Sequence, residues 1–334
     1  MKANNNTVLS LIQPTGVPHI GNKFGALDNW VELQGNYSCI FGIADLHALT
    51  ITRSPKELHR NTEEMIVSLL ACGINPEQSI LFVQSRVPEH TALHWILECI
   101  CAYGDLKRQT QFKEKSRQLK EKEDSFLSVG LFTYPVLQAS DILIYRAQYV
   151  PVGKDQEQHL ELSRRIAQKF NKTYGYTFPE PQVLSTPTPK IRSLVDPSKK
   201  MSKSLGPKHY VGIFEDDETI RKKIRSAVTD SGKNDENQYG EGVKNLIEIL
   251  RACGKSDEAD LFDKRFCAGD RSYDKLKIAV TDALIEIISP IRDRRSELID
   301  DKKRIVLMVE KMCEQARAIA RETINIVQDK VGLF

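Results

Sequence analysis

The first hundred residues alternate short apolar runs with stretches of helical spacing, and this alternation restricts the chain to an α/β architecture with a parallel sheet. Val8–Ile12 is a brief apolar run ending at Gln13-Pro14-Thr15-Gly16, which reads as a buried strand followed by a turn. Helical spacing begins near His19 and continues through Phe24, Leu27, Val31 and Leu33 to Gly35. Tyr37–Ala44 and Ile80–Val83 read as the second and third strands. Between them, Ser54-Pro55-Lys56-Glu57 opens a helix, with Ser54 as cap, Pro55 in the first turn and Glu57 completing a capping box. Gly73 can end it, and Glu89–Tyr103 is the next helix. Such an order implies right-handed βαβ units, with the site beyond the carboxyl ends of the strands. No GxGxxG follows the first strand, so the dinucleotide fingerprint is missing.

Further along, Lys107–Asp124 is strongly charged and reads as exposed, Phe126–Tyr145 is apolar, and Gln156–Asn171 has helical spacing. Pro179–Pro189 carries four prolines and is expected to be a loop. From Asp217 onward the texture is of amphipathic helices, one opening near Val243 and another over Leu276–Ile288. Ser289-Pro290 is expected to break or kink that stretch before a long charged helix over about Arg294–Val331. The expected fold is therefore α/β, a Rossmann-like parallel sheet over residues 1–205 followed by an α-helical unit over 206–334.

The 334 residues are 40% hydrophobic and 28% charged, which suits a globular protein with a sizeable core. A net charge of +3 does not announce a nucleic-acid binder, so any RNA contact must use local patches such as Arg221–Arg225 or Arg292–Arg295. Seven cysteines in an irregular spacing, with no CxxC pair, suit reduced thiols in a cytosolic protein. His90 and His94, with Cys99 beyond, have a passing likeness to metal ligands; a helix surface beside a buried thiol is the preferred reading, and no metal site is expected. The opening Met1–Asn6 lacks the apolar core of a signal peptide, and no run is long enough to span a bilayer, so a cytoplasmic location without membrane partners is expected.

Two distant runs carry the chemistry. Pro18-His19-Ile20-Gly21-Asn22 would open the first helix, where free N–H groups and the dipole favour a phosphate. Gly21 lets an adenine lie against the backbone, and His19 can donate a hydrogen bond to α-phosphate oxygens in the transition state. Lys200-Met201-Ser202-Lys203-Ser204 offers two ammonium groups and two hydroxyls for β- and γ-phosphates. Most short lysine runs are solvated loops, but Met201 has no use in one. Asp141, inside Ala139–Tyr145, reads as buried, so it needs a partner: an Arg, a Lys, a backbone N–H or a ligand N–H. Gly153-Lys154-Asp155-Gln156 follows an apolar strand end and suits a ribose hydroxyl or an α-amino group, or simply a helix cap.

These residues resemble the two signatures of class I aminoacyl-tRNA synthetases. Ile12–Gly16, Asp45-Leu46-His47-Ala48-Leu49-Thr50, Thr133–Leu137, Gly153–Gln156, Ser193–Pro197 and Ala227-Val228-Thr229-Asp230 narrow the resemblance to the bacterial-type tryptophanyl-tRNA synthetases. That resemblance implies a homodimer with a Rossmann catalytic domain, a dimerisation insertion at about 90–150, and a helical domain recognising the anticodon of tRNA(Trp). It implies ATP with Mg²⁺, L-tryptophan and an adenylate intermediate. Carried over by position, His19, Lys200 and Lys203 act in catalysis. Gln13, Pro14, Thr15, Gly21, Asn22, Gly153, Lys154, Asp155, Ile191 and Lys200–Ser204 (with Met201 and Ser202) border ATP, and Lys115 is a further candidate for pyrophosphate. Asp141 accepts the indole N–H, Tyr134 and Gln156 face the amino group, and Gln138 and Leu9 flank the ring. Two positions depart from the family: Gln138 stands where Met is common, and Lys154 where an acid is common, so only the backbone role of Lys154 carries over. A tyrosine-specific relative and a non-catalytic RNA-binding paralogue are the competing readings; the context of Asp141 argues against the first, and the intact lysine run and His19 against the second.

Overall fold

The computed structural model describes residues 6–109, 128–151, 153, 157–185, 189–229 and 239–333. Five parallel strands, β1 (Thr7–Ile12), β2 (Ser38–Ile43), β3 (Ser79–Val83), β4 (Tyr149–Val150) and β5 (Gln182–Val183), form one sheet in the order β3-β2-β1-β4-β5. Val8 pairs with Cys39 on one side and Tyr149 on the other, and Cys39 pairs with Ser79. The chain thus builds away from β1 in one direction and returns to its other side, which puts the topological switch point, where open parallel sheets bind ligands, between β1 and β4. The proline-rich Pro179–Pro189 segment is not all loop. Gln182 and Leu184 donate to the Gln148 and Val150 carbonyls, which makes β5 an edge strand, where neighbouring prolines do no harm.

After β1 come α1 (Ile20–Asn22), a π-helical turn over Lys23–Leu27, and α2 (Asp28–Leu33). The short α3 (Asp45–Ala48) follows β2 and leads to α4 (Pro55–Ala71). Ser54 caps α4 by backbone position alone, since its side chain makes no capping bond and the expected box does not form. Then come α5 (Glu89–Ile100), α6 (Tyr103–Lys107), α7 (Val129–Ile144) and α8 (Glu157–Tyr174) around the sheet. Beyond the lysine run lie α9 (Asp217–Ser226), α10 (Glu241–Ala252), α11 (Ser256–Cys267), α12 (Tyr273–Asp300) and α13 (Lys302–Val331).

Pro290 does not break α12, contrary to expectation; the interruption falls at Asp301, which leaves helical geometry. Ile288 and Ile291 are buried on either side of the proline. Arg292 bonds the Glu215 carbonyl and Asp217, and Arg295 bonds Glu64, so tertiary contacts outweigh the proline penalty.

Two apolar cores result. One holds the sheet, α4, α5, α7, α8 and, from the far end of the chain, α13. The exposed edge of β3 is covered by α13 in an unusual way: the Leu81 and Val83 N–H groups donate to Met312 Sδ and Cys313 Sγ, each at 3.4 Å. The second core joins Ile20 and Phe24 to Ile191, Leu194, Met201 and helices α9–α12.

Gly42 in β2 has no room for a methyl group, because a Cβ would lie 2.7 Å from the Phe82 ring and 2.8 Å from Leu11. Gly42→Ala is expected to destabilise the protein by about 1–3 kcal/mol, measured as a lower urea midpoint.

Candidate active site

His19 sits in extended backbone just before α1, buried, with its N–H donated to Asn22 Oδ1 at 3.1 Å. The turn is stitched to residues 211–213: Ile20 donates to the Val211 carbonyl, Ile213 to the Pro18 carbonyl, and His19 bridges Gly212. A Cβ on Gly21 would fall 2.9 Å from the His19 ring and 3.5 Å from Met201 Cβ. The His19 ring therefore leaves no room for a side chain here, whatever approaches from outside, while the Met201 distance is ordinary contact.

The lysine run is anchored rather than solvated. Met201 is 2% exposed in the second core, and its N–H donates to the Ile191 carbonyl. Arg192 and Lys200 form an antiparallel bridge, and Ser193 donates to the Lys199 carbonyl. The anchored turn carries Lys203 across to the first loop, where Nζ donates to the Thr15 and Val17 carbonyls at 2.7 and 2.8 Å. Lys200 stays exposed, and the Ser202 and Ser204 hydroxyls bond one another at 2.9 Å. A cleft of about 370 Å³ opens here, lined by Thr15, Gly16, Val17, Lys203, Tyr210 and Glu215 among others. Two segments almost two hundred residues apart in sequence therefore share one pocket.

The electrostatics of that pocket favour an anion. Burial, then the Lys203 and Lys200 charges, push the His19 imidazole down to about 4, so near neutral pH it is an uncharged ring. Its Nδ1 is buried and has no hydrogen-bond partner among the described residues. Burial also lowers the Lys203 ammonium. An anion between these groups would oppose both shifts by favouring the protonated forms.

Asp141, on α7 and 2% exposed, is the centre of a second, buried polar cluster. Its Oδ1 accepts from Gln84 Nε2 at 2.7 Å and is bonded to His90 Nδ1 at 2.6 Å, while Oδ2 is bonded to His47 Nε2 at 2.7 Å. His90 Nε2 in turn is 2.8 Å from the Tyr145 hydroxyl. Burial is the largest influence and acts to raise the carboxyl; the His47 charge and the bonds from His47 and His90 outweigh it and hold the group at about 2. The expected burial and the need for partners are met, but by two histidines and a glutamine rather than by Arg, Lys or backbone.

His90 is accordingly no surface residue, and the neighbouring Cys99 is exposed rather than buried, which reverses both halves of the sequence expectation for that helix. Among the described residues no group of three His, Cys, Asp or Glu side chains could hold a metal. His47, Gln84 and Tyr145 have no assigned role in the sequence reading, and His90 enters it only as a passing metal-ligand candidate. Gln84 directly follows β3, at the strand end where site residues are expected, and that was the available signal.

Tyr134 lies beside His47 with ring centroids 6.3 Å apart, and its hydroxyl, raised to about 12 by burial, is 3.1 Å from His159 Nε2. Leu9 is core in β1, and Gln138 is half-buried on α7. Pro14 is buried between exposed Gln13 and Thr15, and Gly153 is exposed. The Ile191 side chain belongs to the second core. Lys154, Asp155, Gln156, Lys113 and Lys115 lie outside the described residues. Arg292 and Arg295 are engaged within the chain by Asp217 and Glu64, and Arg221 pairs with Asp282 at 3.4 Å, while Lys222 and Arg225 are exposed.

Residues 1–289 match the family described as tRNA synthetases class I (W and Y). A tryptophan–tRNA ligase of Clostridium acetobutylicum is 44% identical over 100% of this chain and 99% of its own length. The crystal structure of tryptophanyl-tRNA synthetase from Mycoplasma pneumoniae superimposes with a TM-score of 0.84 at 33% identity, covering 98% of each chain. That of the Campylobacter jejuni enzyme complexed with ADP and tryptophan gives 0.82 at 31% identity, covering 98% of this chain and all of the other.

Because the unfolded histidine titrates near 6.5 and the folded one near 4, acidification through that window protonates the unfolded chain first and removes stability. Titration of His19 by NMR is expected to show a midpoint near 4 that moves upward in Lys203→Ala, and upward again when pyrophosphate is added to the wild type.

Proposed function

This chain belongs to the class I tRNA synthetases of the tryptophan and tyrosine branch, and we propose that it ligates tryptophan to tRNA, forming tryptophanyl-adenylate from L-tryptophan and ATP and passing the acyl group to tRNA(Trp). The observation that carries this reading is the meeting of Lys203 with the Thr15 and Val17 carbonyls beside His19 and Gly21, which makes one anion-seeking pocket out of the two runs that resemble the class signatures.

In this reading an oxygen of the tryptophan carboxylate attacks the α-phosphorus, the bond to the bridging oxygen breaks, and pyrophosphate leaves. Positioning and charge stabilisation supply the rate, without a covalent enzyme intermediate. The His19 ring, neutral and with one N–H to give, faces the α-phosphate, and the Lys200 and Lys203 ammonium groups take the β- and γ-phosphates as charge moves onto them. Gln13, Pro14, Thr15, Asn22, Gly153 and the backbone around Ile191 border the nucleotide. The Asp141 carboxylate takes the indole N–H, and Tyr134 lies on the same side. A terminal ribose hydroxyl of tRNA then attacks the carbonyl carbon, and AMP leaves. Mg²⁺ enters with the phosphates, as expected for an ion held mainly by substrate oxygens and water; no step is assigned to it.

We further propose a cytoplasmic homodimer. All seven cysteines are free, and no helix among the described residues is long and apolar enough to cross a membrane. Trp95 and Tyr103 are 67% and 69% exposed within the segment at about 90–150, which supports a subunit contact there. The helices beyond residue 205 carry the anticodon contacts.

Aminoacylation of a tRNA pool should incorporate tryptophan. Exchange of pyrophosphate with tyrosine alone would overturn the choice of substrate, and tRNA binding without any adenylate would favour the non-catalytic reading. Lys203→Ala should lower the activation rate by about 10²–10³-fold with little change in ATP affinity; equal losses in both would contradict its role at the leaving group. Asp141→Ala should impair tryptophan use specifically.

A further inference from the structure

We propose that His90, backed by Tyr145, is a positioning residue that orients the Asp141 carboxylate so that one acceptor position is left for the N–H of the substrate ring. The inference rests on the reading of Asp141 as the acceptor of that N–H.

A carboxylate offers about four acceptor positions. Gln84 and His90 fill both positions on Oδ1, and His47 fills one on Oδ2, so among the described residues one position is left. A carboxylate accepts from an indole N–H and from a phenol O–H alike, so what that position recognises is decided by where it points, and His90 sets that direction by holding Oδ1.

Nδ1 of His90 donates to the Asp141 carboxylate, and the Tyr145 hydroxyl, 2.8 Å from Nε2, holds the far side of the ring and so fixes its orientation. The ring is held from other sides as well. It is fully buried, Phe82 stacks on it at 5.4 Å and 26°, and Ser140 Oγ donates to its carbonyl at 2.7 Å. The chain Tyr145–His90–Asp141 therefore runs from the core to the carboxylate, on the side opposite His47.

His90→Leu, His90→Asn, Tyr145→Phe and Asp141→Asn would be compared in tryptophan-dependent pyrophosphate exchange, with the thermal midpoint of each. Asparagine places its amide N–H where Nδ1 stands. We expect His90→Leu to lower kcat/KM for tryptophan about ten- to hundredfold at unchanged KM for ATP, and to narrow the preference over tyrosine. His90→Asn should recover most of that loss. Tyr145→Phe, a change of one hydroxyl that keeps the fold, should lower tryptophan kcat/KM about threefold or more. If Asn is as damaging as Leu, if KM for ATP rises in parallel, or if Tyr145→Phe matches the wild type, the inference is wrong. Asp141→Asn separates the two claims. If it leaves selectivity intact, the reading of Asp141 fails and takes the inference with it; if it abolishes selectivity while the His90 variants keep theirs, the inference alone falls.

Discussion

Burial of Met201 is the contact on which the nucleotide half of the site depends. A five-residue run with two lysines and two serines has no reason of its own to leave water. Burying one methionine side chain is worth roughly 1.5–3 kcal/mol, enough to hold such a turn against a core. That core is built from Ile20 and Phe24 near the start of the chain and from Ile191, Leu194 and helices α9–α12. Gly21 contributes by having no side chain, because a methyl there would meet both His19 and Met201. The apolar anchor therefore does the positioning, and it leaves the Lys200 and Lys203 ammonium groups, to which we assign the phosphates, on either side of Met201.

The two halves of the site are polarised in complementary ways. Around Asp141 the protein supplies three donors to one carboxylate, so a buried negative charge exists before any ligand arrives, with capacity left to accept. Around His19 it gathers two lysines and a buried imidazole, while Glu215, the carboxylate lining the same cleft, is taken up by Lys223. Lys203 makes do with two carbonyl oxygens, which carry only partial charge. Among the described residues one half can thus take a further donor and the other an anion. A molecule bearing an N–H, joined at the reaction centre to one bearing phosphates, completes both. Perturbed titrating groups of this kind, clustered at the carboxyl ends of a parallel sheet, are a physical signature of function.

Much of this was written in the sequence where the signal is local. The first three strands follow from apolar run length, and the first helix from its spacing. Met201 betrayed a buried loop because it stood where a solvated turn gains nothing from it. Signals that depend on tertiary partners were not legible. The His90–His94 spacing reveals one helix face but not what covers it; Phe82 of β3 and Asp141 and Tyr145 at the end of α7 do, from two other segments. Pro290 would end an isolated helix, yet α12 is packed on both sides of it and held by Arg292 and Arg295. The β5 pairing within Pro179–Pro189 needs only two residues and an edge position, too little for a sequence pattern to show. Basic runs are ambiguous for the same reason: Arg292 and Arg295 have internal carboxylates that no spacing rule foretells.

The last helix shows how far chain order and packing can part. Residues 302–331 are the end of the sequence, yet α13 belongs to the core of the sheet and covers the edge of β3, whose outward N–H groups find sulfur atoms as acceptors. It also brings Arg317 and Arg321 to Glu89, at the first turn of α5. Both arginines are substantially exposed, so the ion pairs are screened and add little stability beside the apolar contact. Their value is geometric. Glu89 immediately precedes His90, and β3 ends at Gln84's neighbour Val83, so α13 braces the two segments that deliver donors to Asp141. Helices α9–α12 brace the lysine run in the same sense. Each half of the site is thus fixed by a different part of the C-terminal third, which is why the carboxylate and the lysines, far apart in sequence, can each be held rigidly while the cleft between the cores stays open.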